Sequence, residues 1–67
     1  MDKERLLEYI WKHFTVSGEA GRLIVNIVEY VARQSEEEQP ALLYVLLDGT
    51  IGIERDELLR EANIQED

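Results

Sequence analysis

The sequence predicts an all-α fold, a small bundle of three main helices and a short fourth helix. Apolar residues recur every three or four positions in the first half of the chain, which is the spacing of amphipathic helices. A leucine-rich run of seven apolar residues follows at 41–47, and no second segment offers a strand for it to pair with. The 67 residues include no cysteine, so one small core must form without disulfides. We therefore expect one helical domain over residues 1–67, with helices at about 2–14, 18–35, 40–48 and 54–62 and a frayed end at 65–67.

The first predicted helix, about residues 2–14, has a single apolar stripe. Lys12 and His13 occupy its last turn, where positive charge complements the negative end of the helix dipole. Residues 15–18 then interrupt the helical pattern. The stripe that we expect to face the core consists of Leu6, Leu7, Ile10, Trp11 and Phe14.

The second predicted helix, about residues 18–35, has an unusually wide apolar arc. Ser17 is expected to cap it, with the hydroxyl oxygen accepting a hydrogen bond from a first-turn amide. The arc covers more than half of the helix, whereas packing on one side needs a narrower stripe. Gly21, Val25 and Ala32 form a flank of small residues on which another helix can approach closely. We expect the core face to contain Leu23, Ile24, Ile27, Val28 and Val31, with Tyr30 on the opposite flank.

The third predicted helix, about residues 40–48, is the centre of the expected fold. Pro40 suits the first helical position, which places Gln39 near the cap. The apolar run at 41–47 fills every face, so we expect this helix to be buried on all sides, by its own chain or by a second copy. Gly49 is expected to end the helix in a left-handed conformation. The residues expected at the centre are Leu42, Leu43, Leu46 and Leu47.

The fourth predicted helix, about residues 54–62, is short. Three acidic residues in its first turn suit the positive end of the helix dipole. The residues expected to face the core are Leu58, Leu59 and Ala62, preceded by the inward-pointing Ile51 and Ile53 of a linker.

The net charge of −8 is concentrated in one half of the chain. Residues 1–33 carry equal numbers of acidic and basic residues, whereas residues 34–67 carry ten acidic residues and two arginines. This balance argues against direct binding to nucleic acid or to an anionic membrane, both of which require clustered lysine and arginine. The charged N-terminus is not followed by the apolar segment of a secretory signal, and the seven-residue apolar run is far shorter than the roughly 20 residues that span a bilayer. We therefore expect a cytoplasmic protein.

The sequence contains no pattern that we interpret as catalytic or metal-binding. Residues 48–51, Asp-Gly-Thr-Ile, match the middle of an EF-hand calcium loop, but in that register Tyr44 and Leu46 stand where the first ligands belong and Arg55 stands where the bidentate glutamate belongs. His13 is the only histidine and has no nucleophile near it in sequence. A domain of this size also has little room for an enclosed pocket. We expect no enzyme activity, no cofactor and no metal.

Acidic residues near the third and fourth helices support two interpretations. One interpretation is a solvated surface that keeps an apolar protein in solution; the other is a surface that imitates the phosphates of a nucleic acid and occupies a DNA- or RNA-binding protein. The residues in question are Glu36, Glu37, Glu38, Asp56, Glu57 and Glu61.

A resemblance to known sequences lies in the segment LLDGTIGI at 46–53, followed by Asp-Glu-Leu-Leu at 56–59. This segment resembles short, acidic, uncharacterised proteins encoded in bacterial genomes and mobile elements. The resemblance implies an accessory role in a bacterial cell, and it supplies no activity and no site residues.

The favoured hypothesis is a non-enzymatic protein-interaction or regulatory module that forms a homodimer or binds another protein. It rests on the apolar surface that exceeds what a chain this short is expected to bury. The residues that we expect at the contact surface are Gly21, Val25, Ala32 and Tyr44.

Overall fold

A computed structural model describes residues 1–65 and confirms the all-helical prediction for them. These residues form four α-helices, and they contain no strand. Of the frayed end predicted at 65–67, residues 66 and 67 lie outside the described residues. The helices are α1 (Lys3–His13), α2 (Gly18–Ala32), α3 (Gln39–Ile51) and α4 (Arg55–Glu61).

Helix α1 begins at an aspartate cap. The Asp2 carboxylate accepts a hydrogen bond of 3.1 Å from the backbone N–H of Arg5. Leu6 and Ile10 are fully buried, as the apolar stripe predicted. Trp11 was expected to lie in the core, and this is wrong because its side chain is 45% exposed. It lies at the edge of the α1–α2 contact and covers Gly21 from one side.

Helix α2 follows Ser17, which has extended backbone angles as expected for a cap. The expected capping hydrogen bond is absent, since the Ser17 hydroxyl oxygen accepts none from a first-turn amide. The helix ends at Ala32, three residues before the predicted end. Leu23 was assigned to the core face, and this is wrong because the side chain is 50% exposed.

Helix α3 begins at Gln39 and has Pro40 in its first turn, close to the predicted start. It does not end at Gly49 but continues to Ile51, because Thr50 and Ile51 complete another turn. The Thr50 hydroxyl donates to the Leu46 carbonyl at 3.1 Å, and Ile51 packs against the core. Gly52 ends the helix in the left-handed conformation, with φ 66° and ψ 31°.

Helix α4 is tied to α1 at several points. The Tyr9 hydroxyl donates to the Glu57 carboxylate, and the Arg5 guanidinium lies 3.6 Å from a carboxylate oxygen of Glu61. The backbone N–H of Asp2 donates to the Ala62 carbonyl at 2.7 Å. These contacts hold the beginning of the described chain against its last helix.

The four helices form a closed ring around one core. Within the described residues α1 packs against α2 and α4, and α3 packs against α2 and α4, while the two diagonal pairs have no Cα atoms within 8 Å of each other. The most extensive pair is α2 with α3. The fully buried apolar side chains are Leu6, Ile10, Ile24, Val28, Val31, Leu43, Leu47, Leu58 and Ala62, with Ile53 2% exposed.

Helix α3 was expected to be buried on all sides; burial on all sides by its own chain is wrong. Leu43 and Leu47 are fully buried, but Ala41, Val45 and Gly49 are exposed. A ring of four helices covers α3 only on the sides that face α2, α4 and the core. The fourth side of this apolar helix therefore remains at the surface.

Candidate protein-interaction surface

The large exposed apolar side chains of α2 and α3 lie on one side of the molecule. Leu23 and Tyr30 of α2 are 50% and 47% exposed, and Val45 of α3 is 67% exposed. Partly buried apolar residues continue the surface between them. We define the hairpin face as Leu23, Ile27 and Tyr30 on α2 with Leu42, Val45 and Leu46 on α3.

The position of α1 shows which side of α2 carries this face. A Cβ atom at Gly21 would lie 3.8 Å from Trp11 Cη2 and 3.9 Å from Val16 Cγ1, so Gly21 marks the side of α2 that α1 covers. Each residue of a helix advances by about 100°, which places Leu23 and Tyr30 roughly 160–180° around α2 from Gly21. The two exposed side chains are therefore on the side away from α1, next to α3.

The same reasoning places the α3 residues. Leu42 and Leu46 are partly buried on the side of α3 from which Gln39 reaches α2, and helical spacing places the exposed Val45 about 60° further round from Leu42. The side chain of Gln39 reaches the carbonyls of Ala32 and Gln34, so the beginning of α3 stands beside the end of α2. Because the two helices run in opposite directions, Val45, six residues after Gln39, stands at about the level of Asn26, six residues before Ala32.

The contact residues expected from the sequence do not share this face. Gly21 and Val25 line a shallow groove of about 350 Å³ with Trp11, Arg22 and Asn26, on the α1 side of α2. Helical spacing places Ala32 on the same flank as these residues. Tyr44 is partly buried, and helical spacing places it on the opposite flank of α3 from Leu42 and Leu46. The structure thus divides the four residues between two sides of the ring.

Sequence reasoning missed Leu23 and Val45 as surface residues. Leu23 fits the core periodicity of α2, and Val45 lies inside an unbroken apolar run. The spacing of Leu23 and Tyr30, seven residues apart, is the signal that was present, since it places both on one stripe.

The six acidic residues proposed as a nucleic-acid mimic differ in their surroundings. Glu36, Glu37 and Glu38 are exposed in the turn before α3, and Asp56 is exposed on α4. Glu57 accepts the hydrogen bond from Tyr9. Glu61 lies 3.6 Å from both Arg5 and Arg60 and is only 17% exposed at its side chain. Two of the six carboxylates are therefore engaged by α1 and α4.

The structure provides no metal-ligating cluster in residues 1–65, where no three histidine, aspartate or glutamate side chains converge. Asp48, Gly49, Thr50 and Ile51 are helical, so they do not adopt the loop that an EF-hand requires. No helix in this described part is long and apolar enough to cross a membrane.

Comparison of the chain with protein-family profiles, curated proteins and solved structures gave no match.

Proposed function

We propose that the protein is a non-enzymatic helical interaction module that associates with itself through the hairpin face. The observation that carries the proposal is the exposure of Leu23, Tyr30 and Val45 on two neighbouring helices. Apolar side chains grouped in this way expose an apolar surface to water, and burying that surface in an interface would stabilise the complex.

The distribution of charge supports a second copy as the partner. Helix α3 contains a single charged residue, Asp48, and α2 together with the Arg33 that follows it carries two acidic and two basic residues. The excess negative charge lies in the turn at 36–38 and beyond α3. The hairpin face is therefore the part of this acidic protein on which two copies meet with the least repulsion.

The proposal is tested by replacing the most exposed apolar residue of the face. Val45→Asp places a carboxylate at the centre of the expected interface, and valine and aspartate have similar helix propensities. We expect wild-type protein to have the mass of a dimer at high concentration by light scattering, and Val45→Asp to have the mass of a monomer with unchanged helical circular dichroism. Desolvating an unpaired charge should weaken the dimer at least a hundredfold.

The matched control is Thr15→Asp, which adds the same charge at an exposed position between α1 and α2. It should leave the dimer intact. Wild-type protein that is monomeric up to millimolar concentration, or a Val45→Asp variant that still dimerises, would contradict the proposal.

The acidic-mimic function has weaker support. It requires several carboxylates that are available to a basic partner, and the hydrogen bond to Glu57 and the ion pairs of Glu61 tie two of them to other side chains of the same chain. The exposed acids at 36–38 are also what a protein with an apolar face needs for solubility.

We also propose that the protein acts in the cytoplasm. The support is the absence of cysteine from the sequence. An accessory role in a bacterial cell is the proposal that follows from the resemblance of residues 46–53.

A further inference from the structure

The charged residues of α2 and the Arg33 that caps its end have a symmetric arrangement. Glu19, Arg22, Glu29 and Arg33 are all exposed, and they lie on both sides of Asn26. Reversing the helix about Asn26 brings position 19 to position 33 and position 22 close to position 29. Each acidic residue then stands where a basic residue stood. Helix α2 is therefore complementary in charge to a reversed copy of itself.

We propose that the second copy docks with its α2 antiparallel to α2 of the first, about a twofold axis that passes near Asn26. This inference rests on the proposed function, and it adds the relative orientation of the two copies. Glu19 of each copy then faces Arg33 of the other at the two ends of the interface. Leu23 of each copy packs against Tyr30 of the other inside these pairs.

The arrangement of α3 agrees with this axis, although the axis was placed from the charges of α2 alone. Val45 stands at the level of Asn26, because Gln39 fixes the beginning of α3 beside Ala32. The axis therefore brings Val45, the most exposed large apolar residue, against its own copy. Ala41 faces the second copy's Gly49, which has no atom within 4 Å of its Cβ position, so the two α3 helices can approach closely.

A different twofold axis, parallel to the helices, would place α2 over α3 of the second copy. Arg33 would then face Glu38, and Glu19 would lie near the end of α3 at Gly52, away from Arg33. The two geometries therefore make different predictions about the pairing of Glu19 with Arg33.

The inference is tested with two reversed charges, Glu19→Arg and Arg33→Glu. Each variant alone places like charges at both ends of its homodimer, and we expect its dissociation constant to rise about tenfold, since ion pairs at an interface rim contribute modestly. An equimolar mixture of the two variants restores opposite charges at both ends. We expect the mixture to form a heterodimer with an affinity close to that of wild-type protein, as measured by sedimentation or by fluorescence transfer between labelled chains.

Two controls carry the same changes in net charge outside the hairpin face, Glu36→Arg and Lys12→Glu. Each should dimerise like wild-type protein, and mixing them should give no preference for the heterodimer. Circular dichroism should show unchanged helix content in all four variants.

The outcomes separate this inference from the proposed function. If Val45→Asp abolishes the dimer but Glu19→Arg has no effect, the hairpin face is the interface and the antiparallel α2 geometry is wrong. Failure of the mixture to recover the dimer also overturns the geometry. If wild-type protein is monomeric at every concentration, both proposals fail.

Discussion

Gly52 and Gly49 show how the backbone conformation of a residue determines whether an added side chain stabilises or destabilises the protein. Gly52 has a φ of 66°, where a Cβ atom comes too close to the following carbonyl oxygen. Gly49 lies three residues earlier in the regular part of α3, and no atom lies within 4 Å of its Cβ position. Substitution of alanine should therefore change the free energy of unfolding in opposite directions at the two sites.

Gly52→Ala should lower the free energy of unfolding by about 1 kcal/mol, because the left-handed conformation is strained for alanine. Gly49→Ala should raise it by about 0.5–1 kcal/mol, because alanine favours the helix and loses less backbone entropy on folding. Both are measured by urea unfolding at a concentration where light scattering shows monomer. A stabilised Gly52→Ala variant would mean that α3 does not end at this residue in solution.

Gln39 connects two elements, since it begins α3 and its side chain donates hydrogen bonds to carbonyls at the end of α2. Its side chain is almost fully buried, and Nε2 donates to the carbonyl of Gln34 at 3.1 Å and to that of Ala32 at 3.5 Å. The last carbonyls of a helix have no partner within the helix. The side chain of Gln39 therefore supplies the donor that the chain turning away after Ala32 does not provide.

Gln39→Met keeps the length of the side chain but removes the donor. We expect it to lower the free energy of unfolding by about 1–2 kcal/mol, because a partly buried carbonyl loses its hydrogen bond. The control is Gln34→Met, which removes a bond from an amide to the Tyr30 carbonyl in an exposed setting and should change stability by less than about 0.5 kcal/mol. Equal losses in the two variants would show that the Gln39 bonds contribute no more than an exposed one.

The elements that could be predicted from sequence are those set by local chemistry. Pro40 fixed the start of α3 to within a residue, and the burial of Ile10, Leu43 and Ile53 followed from periodicity and the need to bury large aliphatic side chains. The end of α3 could not be predicted, because Gly49 and Gly52 satisfy the same local rule. Only the packing of Ile51 against the other helices favours the second glycine.

The surface was harder to predict than the core. A wide apolar arc shows that more than one side of α2 is apolar, but it does not show which side α1 covers. The position of Trp11 over Gly21 settles this in the structure. Leu23 and Val45 are exposed because the order of the helices around the ring leaves their sides of α2 and α3 uncovered.

At the scale of the whole molecule, the chain is compact but has little core. Its Cα radius of gyration of 10.7 Å is close to the value of about 11 Å expected for a compact domain of this length. A domain near 60 residues buries only about 60% of the surface of its unfolded chain, so its stability alone is marginal. Burial of the hairpin face in a dimer would add apolar area that the ring of four helices does not cover.

Stability that depends on dimerisation must depend on protein concentration. By mass action, each tenfold increase in concentration stabilises a dimeric chain by about 0.7 kcal/mol, which corresponds to roughly 3–5 °C in the midpoint of thermal unfolding for a domain of this size. We expect this rise in wild-type protein between micromolar and millimolar concentration, measured by circular dichroism. Val45→Asp should have a midpoint that does not change with concentration, because its unfolding involves one chain. A constant midpoint in wild-type protein would mean that the core inside the ring stabilises the fold alone.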